Sequence, residues 1–139
     1  MTDKTTGGCL CGKIRYACEG PLPGATYCHC KDCRISSGSA FHVGIPLDGS
    51  RFNLTAGETK GHAVQGESGH WLTRHFCADC GTQLYNTTTK RPGNVFLKAG
   101  TLDDPELAKP ARQIWTDKAV SWAYIAPDLP TWPRAFVKG

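Results

Sequence analysis

Seven of the eight cysteines in this 139-residue chain fall into three closely spaced sets. Cys9-Leu10-Cys11 comes first, Cys28-His29-Cys30-Lys31-Asp32-Cys33 second and Cys77-Ala78-Asp79-Cys80 third. Thiolate sulfur suits zinc, which needs four donors to close a structural site but only three protein donors to make a reactive one. The spacing therefore predicts that Cys9, Cys11, Cys77 and Cys80 join in a closed site. Cys28, Cys30 and Cys33 are then left to hold a second zinc with one position open, giving two zinc ions per chain.

Each set has a physical reading. Two residues between Cys77 and Cys80 let the backbone wrap a metal in a tight knuckle, and Gly81 relieves the turn that follows. Cys9 and Cys11, at i and i+2, would lie roughly 6.5–7 Å apart on a flat strand. Two sulfurs on one zinc must come within about 4 Å, so the chain must bend there, with Gly7, Gly8 and Gly12 at hand. In the triple, a metal would lower the thiol pKa and polarise a carbonyl. That makes Cys28, Cys30 and Cys33 the candidate catalytic residues. Lys31 and Arg34 flank them as cations for a bound ligand and for the negative charge the thiolates accumulate. His29, His42 and His75 are alternatives for a fourth ligand, with packing or outer-shell roles as their default reading. A closed structural zinc at the triple is the competing interpretation, and disulfides are the competing one for the outer pairs. Cys18 reads as a small buried hydrophobe. Ser36, Ser37 and Ser39 have no partner base and read as loop and cap residues.

The elements that must position these groups are short. Gly7 to Cys18 alternates and is expected to form one strand. A turn at Gly20-Pro21-Leu22-Pro23-Gly24 leads to the triple, and a single helix is expected over Lys31 to Ser37, with Gly38 as its left-handed terminal residue. Strands are expected over 41–46, 52–55, 69–76, 83–87 and 95–99, with another at Gln113-Ile114-Trp115. This spacing indicates antiparallel sheets, hence a mainly β protein. Trp71, Phe76, Trp115 and Trp122 have core packing as their default, with a pocket wall as the other use. The tail around Trp122, Tyr124, Trp132 and Phe136, broken by Pro127, Pro130 and Pro133, is expected to cover the sheets irregularly.

Composition bounds the function. The length suits one domain spanning 1–139. Sixteen basic and twelve acidic residues leave a net charge of +4, but they are dispersed, unlike the basic stripe of a nucleic-acid binder. The balance still favours a small anionic ligand. The N-terminus has no apolar run and no stretch reaches membrane-spanning length, so a cytoplasmic protein with reduced, metal-binding thiols is expected. The oligomeric state has no signature.

Gly8-Cys9-x-Cys11-Gly12, Cys28-His29-Cys30-x-x-Cys33-Arg34, Gly38-Ser39-Ala40-Phe41 and Phe76-Cys77-x-x-Cys80-Gly81 follow one another in a familiar order. The chain resembles the glutathione-dependent formaldehyde-activating (GFA) or CENP-V domain family from about Gly7 to the Trp115 region. The resemblance implies an Mss4-like fold of several coiled antiparallel β-sheets organised around zinc. It also implies a structural four-cysteine zinc and a catalytic zinc at Cys28, Cys30 and Cys33. The implied activity is that of a carbon–sulfur lyase, forming or cleaving an adduct between a small thiol such as glutathione and an aldehyde such as formaldehyde. The competing function is a non-catalytic zinc-binding interaction module.

Overall fold

The structure is a computed structural model that describes residues 4–123 and 127–137. Its chain order is β1 (Lys4–Gly8), β2 (Arg15–Glu19), β3 (Ala25–Cys28), α1 (Lys31–Ser37), β4 (His42–Asp48), β5 (Phe52–Ala56), β6 (Lys60–Gln65), β7 (Trp71–Phe76), β8 (Gln83–Thr88), β9 (Asn94–Lys98) and β10 (Pro110–Ile114), with single turns of 3-10 helix between some of them. The mainly β expectation holds. Strands β1-β2-β5 form a three-stranded antiparallel sheet, and β10-β3-β4-β9-β8-β7-β6 form a seven-stranded one.

Three expectations about elements are corrected. The run from Gly7 to Cys18 is not one strand but a hairpin: β1 ends at Gly8, the chain turns through Cys9 to Lys13, and β2 begins at Arg15. The alternation of apolar residues misled because Leu10, on the core parity, sits on the turn and is 89% exposed. The sheets are also not wholly antiparallel, since β10 runs parallel to β3. Finally, Trp122 is 75% and Trp71 48% exposed, so neither is a core residue. Tyr124, assigned to the covering tail, lies outside the described residues. Trp132 and Phe136 pack edge to face, while Thr131 bridges to Gln113 of β10, so this part of the tail does lie against the large sheet.

The core forms between the two sheets because side chains alternate across each strand. Ile14, Tyr16 and Cys18 come from the hairpin side, and Ile45, Leu47, Leu84 and Leu97 from the large sheet; all are at most 2% exposed. Cys18 is thus the buried hydrophobe expected, and its burial pushes the thiol up to about 11. The packing is close enough that a Cβ on Gly7 would collide with the Tyr16 hydroxyl and the Thr101 carbonyl. The opposite parity of the same strands, His42, Gly44 and Pro46 on β4 and Asn94 and Phe96 on β9, faces a cavity instead. The large sheet therefore has a structural face and a chemical face.

Candidate metal centres and cavity

All eight cysteines are free of disulfides. Seven of them gather in two places. Cys9 and Cys11 on the hairpin turn meet Cys77 and Cys80 on the turn between β7 and β8, with all four sulfurs within 4.8 Å of one another. The Cys9–Cys11 and Cys11–Cys77 sulfur separations are 3.6 and 3.8 Å. Two thiolates each about 2.3 Å from one tetrahedral zinc lie about 3.8 Å apart, so this donor set fits a metal of that size. Its backbone is tied as a metal knuckle should be. Ile14 N–H donates to Cys9 Sγ at 3.3 Å, and Gly81, with φ 78°, returns its N–H to the Cys77 carbonyl at 2.8 Å. Thr82 adds a hydroxyl 3.3 Å from Cys80 Sγ, and its side chain and backbone contacts hold that thiol low, at about 5.

The second gathering is local. β3 delivers Cys28, the chain turns, and Cys30 caps α1 by accepting the Cys33 N–H at 3.2 Å on its sulfur. Helix α1 spans the residues expected, and Gly38 closes it at φ 68°, donating to the Arg34 and Ile35 carbonyls. Cys30 and Cys33 sulfurs are 2.7 Å apart and Cys33 and Cys28 sulfurs 3.3 Å. Crowding three thiols so closely favours one shared negative charge. Contacts from Cys28 and then Cys33 hold Cys30 far below the usual thiol range, while Cys28 is pushed up to about 12 by Cys30, and Cys33 further still by Cys28 and Cys30.

Of the three histidines weighed as a further ligand, the structure brings only His42 to this cluster. One of its ring nitrogens lies within 4.8 Å of the Cys28 and Cys33 sulfurs, and Cys30 falls outside that group of three. His42 Nδ1 is 3.2 Å from Lys98 Nζ. With the Lys98 ammonium donating to Nδ1, the other nitrogen carries a proton and donates rather than ligates. Burial, followed by the Lys98 charge, keeps the imidazole neutral. His29 is buried elsewhere, 3.4 Å from Gln113 Oε1 and packed on Phe41. His75 stacks on Tyr85 and bonds Thr87 Oγ1 at 2.8 Å, although β7 ends beside Cys77.

The three clustered thiols line a cavity of about 920 Å³ that covers the chemical face of the large sheet. Its wall carries Lys31, Arg74, Lys90, Arg91, Arg112 and Lys118 against two acids, Asp32 and Glu67. A small anion is therefore the charge class that fits. Lys31 reaches this cavity from the first turn of α1, whereas Arg34, in the last turn, is not among the lining residues. Trp115 does line it, the wall role that had been its alternative. Its backbone sits at φ 58°, a conformation costly for a bulky side chain. Its N–H is tied to the Arg134 carbonyl at 2.9 Å. Sequence reasoning passed over Arg74, Asn86 and Lys98, although each falls on the same strand parity as a residue facing the cavity. The four-cysteine group lines none of it.

The family model of the glutathione-dependent formaldehyde-activating enzymes, GFA, matches residues 4–118. The chain belongs to this family. An uncharacterized lyase of Schizosaccharomyces pombe is 30% identical over 93 residues, covering 67% of this chain and 64% of the relative. The match thus spans a little under two thirds of that lyase. A crystal structure of a Rhodobacter sphaeroides protein superposes with a TM-score of 0.57 at 17% identity, covering 91% of this GFA chain and 98% of that one. It shows a shared fold. Among the described residues no helix is long and apolar enough to cross a membrane.

Proposed function

We propose that this GFA chain is a zinc-dependent carbon–sulfur lyase-type enzyme that joins a small thiol to a small aldehyde, or parts the two, in the reducing cytoplasm. One observation carries the reading: three thiols converge at a roomy basic cavity, while the other four gather away from it. Lyase chemistry is supported at the level of class by the family match and by the name of the yeast relative. Glutathione and formaldehyde are the proposed pair, zinc the proposed metal at both centres, and no nucleic-acid or membrane partner is invoked.

Cys28, Cys30 and Cys33 would hold the reactive zinc, and Cys9, Cys11, Cys77 and Cys80 the other. When bound, the reactive ion supplies a low-pKa seat for an incoming thiol and a Lewis acid for a carbonyl. The chain's own residues do the rest. In the forward direction a carbon–sulfur bond forms as the carbonyl π pair moves to oxygen, and that oxygen must then gain a proton. The thiol would add as its thiolate, its own proton released to solvent, and neutral His42 would pass the new proton from Nε2 as the Lys98 ammonium replaces it at Nδ1. Lys31 and the other wall cations would hold the thiol's anionic groups, in a cavity whose volume of about 920 Å³ is in the range of small-ligand sites.

Cobalt substitution followed by glutathione titration tests the reading. A saturable change in the thiolate-to-metal and d–d absorption is expected, lost in Cys30→Ser, together with formaldehyde-dependent turnover. A folded Cys30→Ser protein that keeps its turnover would sink the enzyme reading and leave the zinc-binding interaction module in its place.

A further inference from the structure

Arg74 of β7 and Asn86 of β8 stand directly opposite each other in the antiparallel register, and both line the cavity. Opposite residues on such a pair point to the same face with Cβ atoms about 4.5–5.5 Å apart. Both are left incomplete. Among the described residues neither Arg74 Nε nor Asn86 Oδ1, both buried, has a hydrogen-bond partner. Asn86 is only 5% exposed, so bulk water does not make up the loss. Among the described residues no carboxylate lies within ion-pair distance of the Arg74 guanidinium. An unpaired buried donor or acceptor costs on the order of 1–3 kcal/mol.

The surroundings sharpen what is missing. Lys98, another half-buried cation in electrostatic reach of Arg74, lies close enough to the three-thiol cluster to face its one shared negative charge. Among the described residues Arg74 forms no ion pair, and its Nε edge is built for a planar two-oxygen anion. Asn86 Oδ1, beside it, asks for the opposite, an N–H donor. A single water would satisfy both polar atoms and leave the charge uncompensated. A phosphate would meet the charge and set its oxygens against Oδ1. A carboxylate with an ammonium on the next carbon answers both demands at once.

We propose that Arg74 and Asn86 form a subsite for an α-amino-carboxylate head group, the carboxylate on the guanidinium edge and the ammonium on the Asn86 carbonyl. The inference rests on reading this cavity as the substrate site, and it makes the substrate an amino-acid derivative rather than a simple mercapto acid or amine. Arg74 and Asn86 are here binding residues and take no part in bond making.

Ligands without a free thiol separate this proposal from the thiol chemistry. The isotope-labelled, zinc-loaded full chain is titrated with S-methylcysteine, methylthiopropionate and methylthioethylamine, following the Arg74 Nε–H signal. S-methylcysteine is expected to bind at least about tenfold tighter than either half-ligand, the worth of one added hydrogen bond to a charged group. In Asn86→Leu its affinity should fall to that of methylthiopropionate, whose own affinity should not change. In Asn86→Asp, which keeps the size of the side chain, the new carboxylate should pair with Arg74 and reject both acids. Equal affinities for S-methylcysteine and methylthiopropionate in the wild type overturn the proposal, as does no binding, or a loss in Asn86→Leu that falls on both acids alike. Because methylthio ligands offer no thiol, a protein that binds S-methylcysteine in this way but gives no cobalt response to glutathione would retain the subsite and lose the proposed reaction.

Discussion

The two cysteine clusters use the same side chain for opposite ends. The four-cysteine group joins turns far apart in sequence, Cys11 and Cys77 being 66 residues apart, and its sulfurs already stand at the spacing of a shared tetrahedral ion. The three-cysteine group spans six residues from Cys28 to Cys33, and its sulfurs are closer together than a zinc would hold them. A metal in the first closes a long loop, which makes its binding energy part of folding. A metal in the second closes nothing that β3 and α1 have not already closed. On the proposed function that difference would free the second cluster for chemistry, letting it exchange ligands without loosening the core. Position reinforces it, since Cys9 and Cys77 sit in the core cluster while Cys28, Cys30 and Cys33 face the cavity.

The sharpest way to break this comparison is to remove one sulfur from each cluster and measure folding. Cys77→Ser should lower the thermal midpoint by at least about 10 °C, or abolish a cooperative transition, because a structural zinc contributes folding energy outright. Cys30→Ser should leave the midpoint within a few degrees, with circular dichroism as the readout of both. Chelation should follow the same division: activity lost first, the fold afterwards. If Cys30→Ser unfolds the protein as Cys77→Ser does, the division between structural and reactive clusters fails.

Turnover should reverse the ranking. Cys30→Ser is expected to cost at least about a thousandfold in turnover if the thiolate set is the reacting centre proposed above. His42→Ala should cost about a hundredfold, the usual worth of a positioned proton donor. The cobalt absorption of the His42→Ala protein should match that of the wild type. A changed spectrum would make His42 a ligand and its bond to Lys98 a consequence of coordination. Lys98→Met should fall between His42→Ala and the wild type, because it removes the group behind the donor and leaves the donor in place.

The sequence made the cysteine clusters legible because ligand spacing is a local constraint. The same holds for α1, whose start at Lys31 and stop at Gly38 are set by a capping sulfur and a glycine in the left-handed region. Less legible was anything decided by partners distant in sequence. The bend at Cys9 and Cys11 was legible from metal geometry, but that it closes a hairpin hid inside an unbroken alternation, and β6, Lys60 to Gln65, gave no pattern because nearly all of it is exposed on the sheet edge. The cavity face was the deepest loss. His42, Arg74, Asn86 and Lys98 occupy alternate strand positions, and polar residues at that period look the same facing solvent as facing a binding site. Only the register that puts Arg74 against Asn86 and Cys28 against His42 distinguishes the two.

The smallest predicted effect tests what holds the four-cysteine group together. Lys13, two residues after Cys11, and Asp79, inside the opposing knuckle, form an ion pair at 2.6 Å across the cluster. Both side chains are more than half exposed, at 69% and 55%, where water and salt screen most of the attraction. Asp79→Asn should therefore lower the thermal midpoint of the zinc-loaded protein by no more than about 2 °C, a difference that disappears in about 0.5 M salt. The ion pair guides the two turns toward one another; the shared ion would hold them there. A fall as large as that of Cys77→Ser would mean that charge, and not the thiol geometry, closes this end of the molecule, and the contrast between the two clusters would have to be drawn on different grounds.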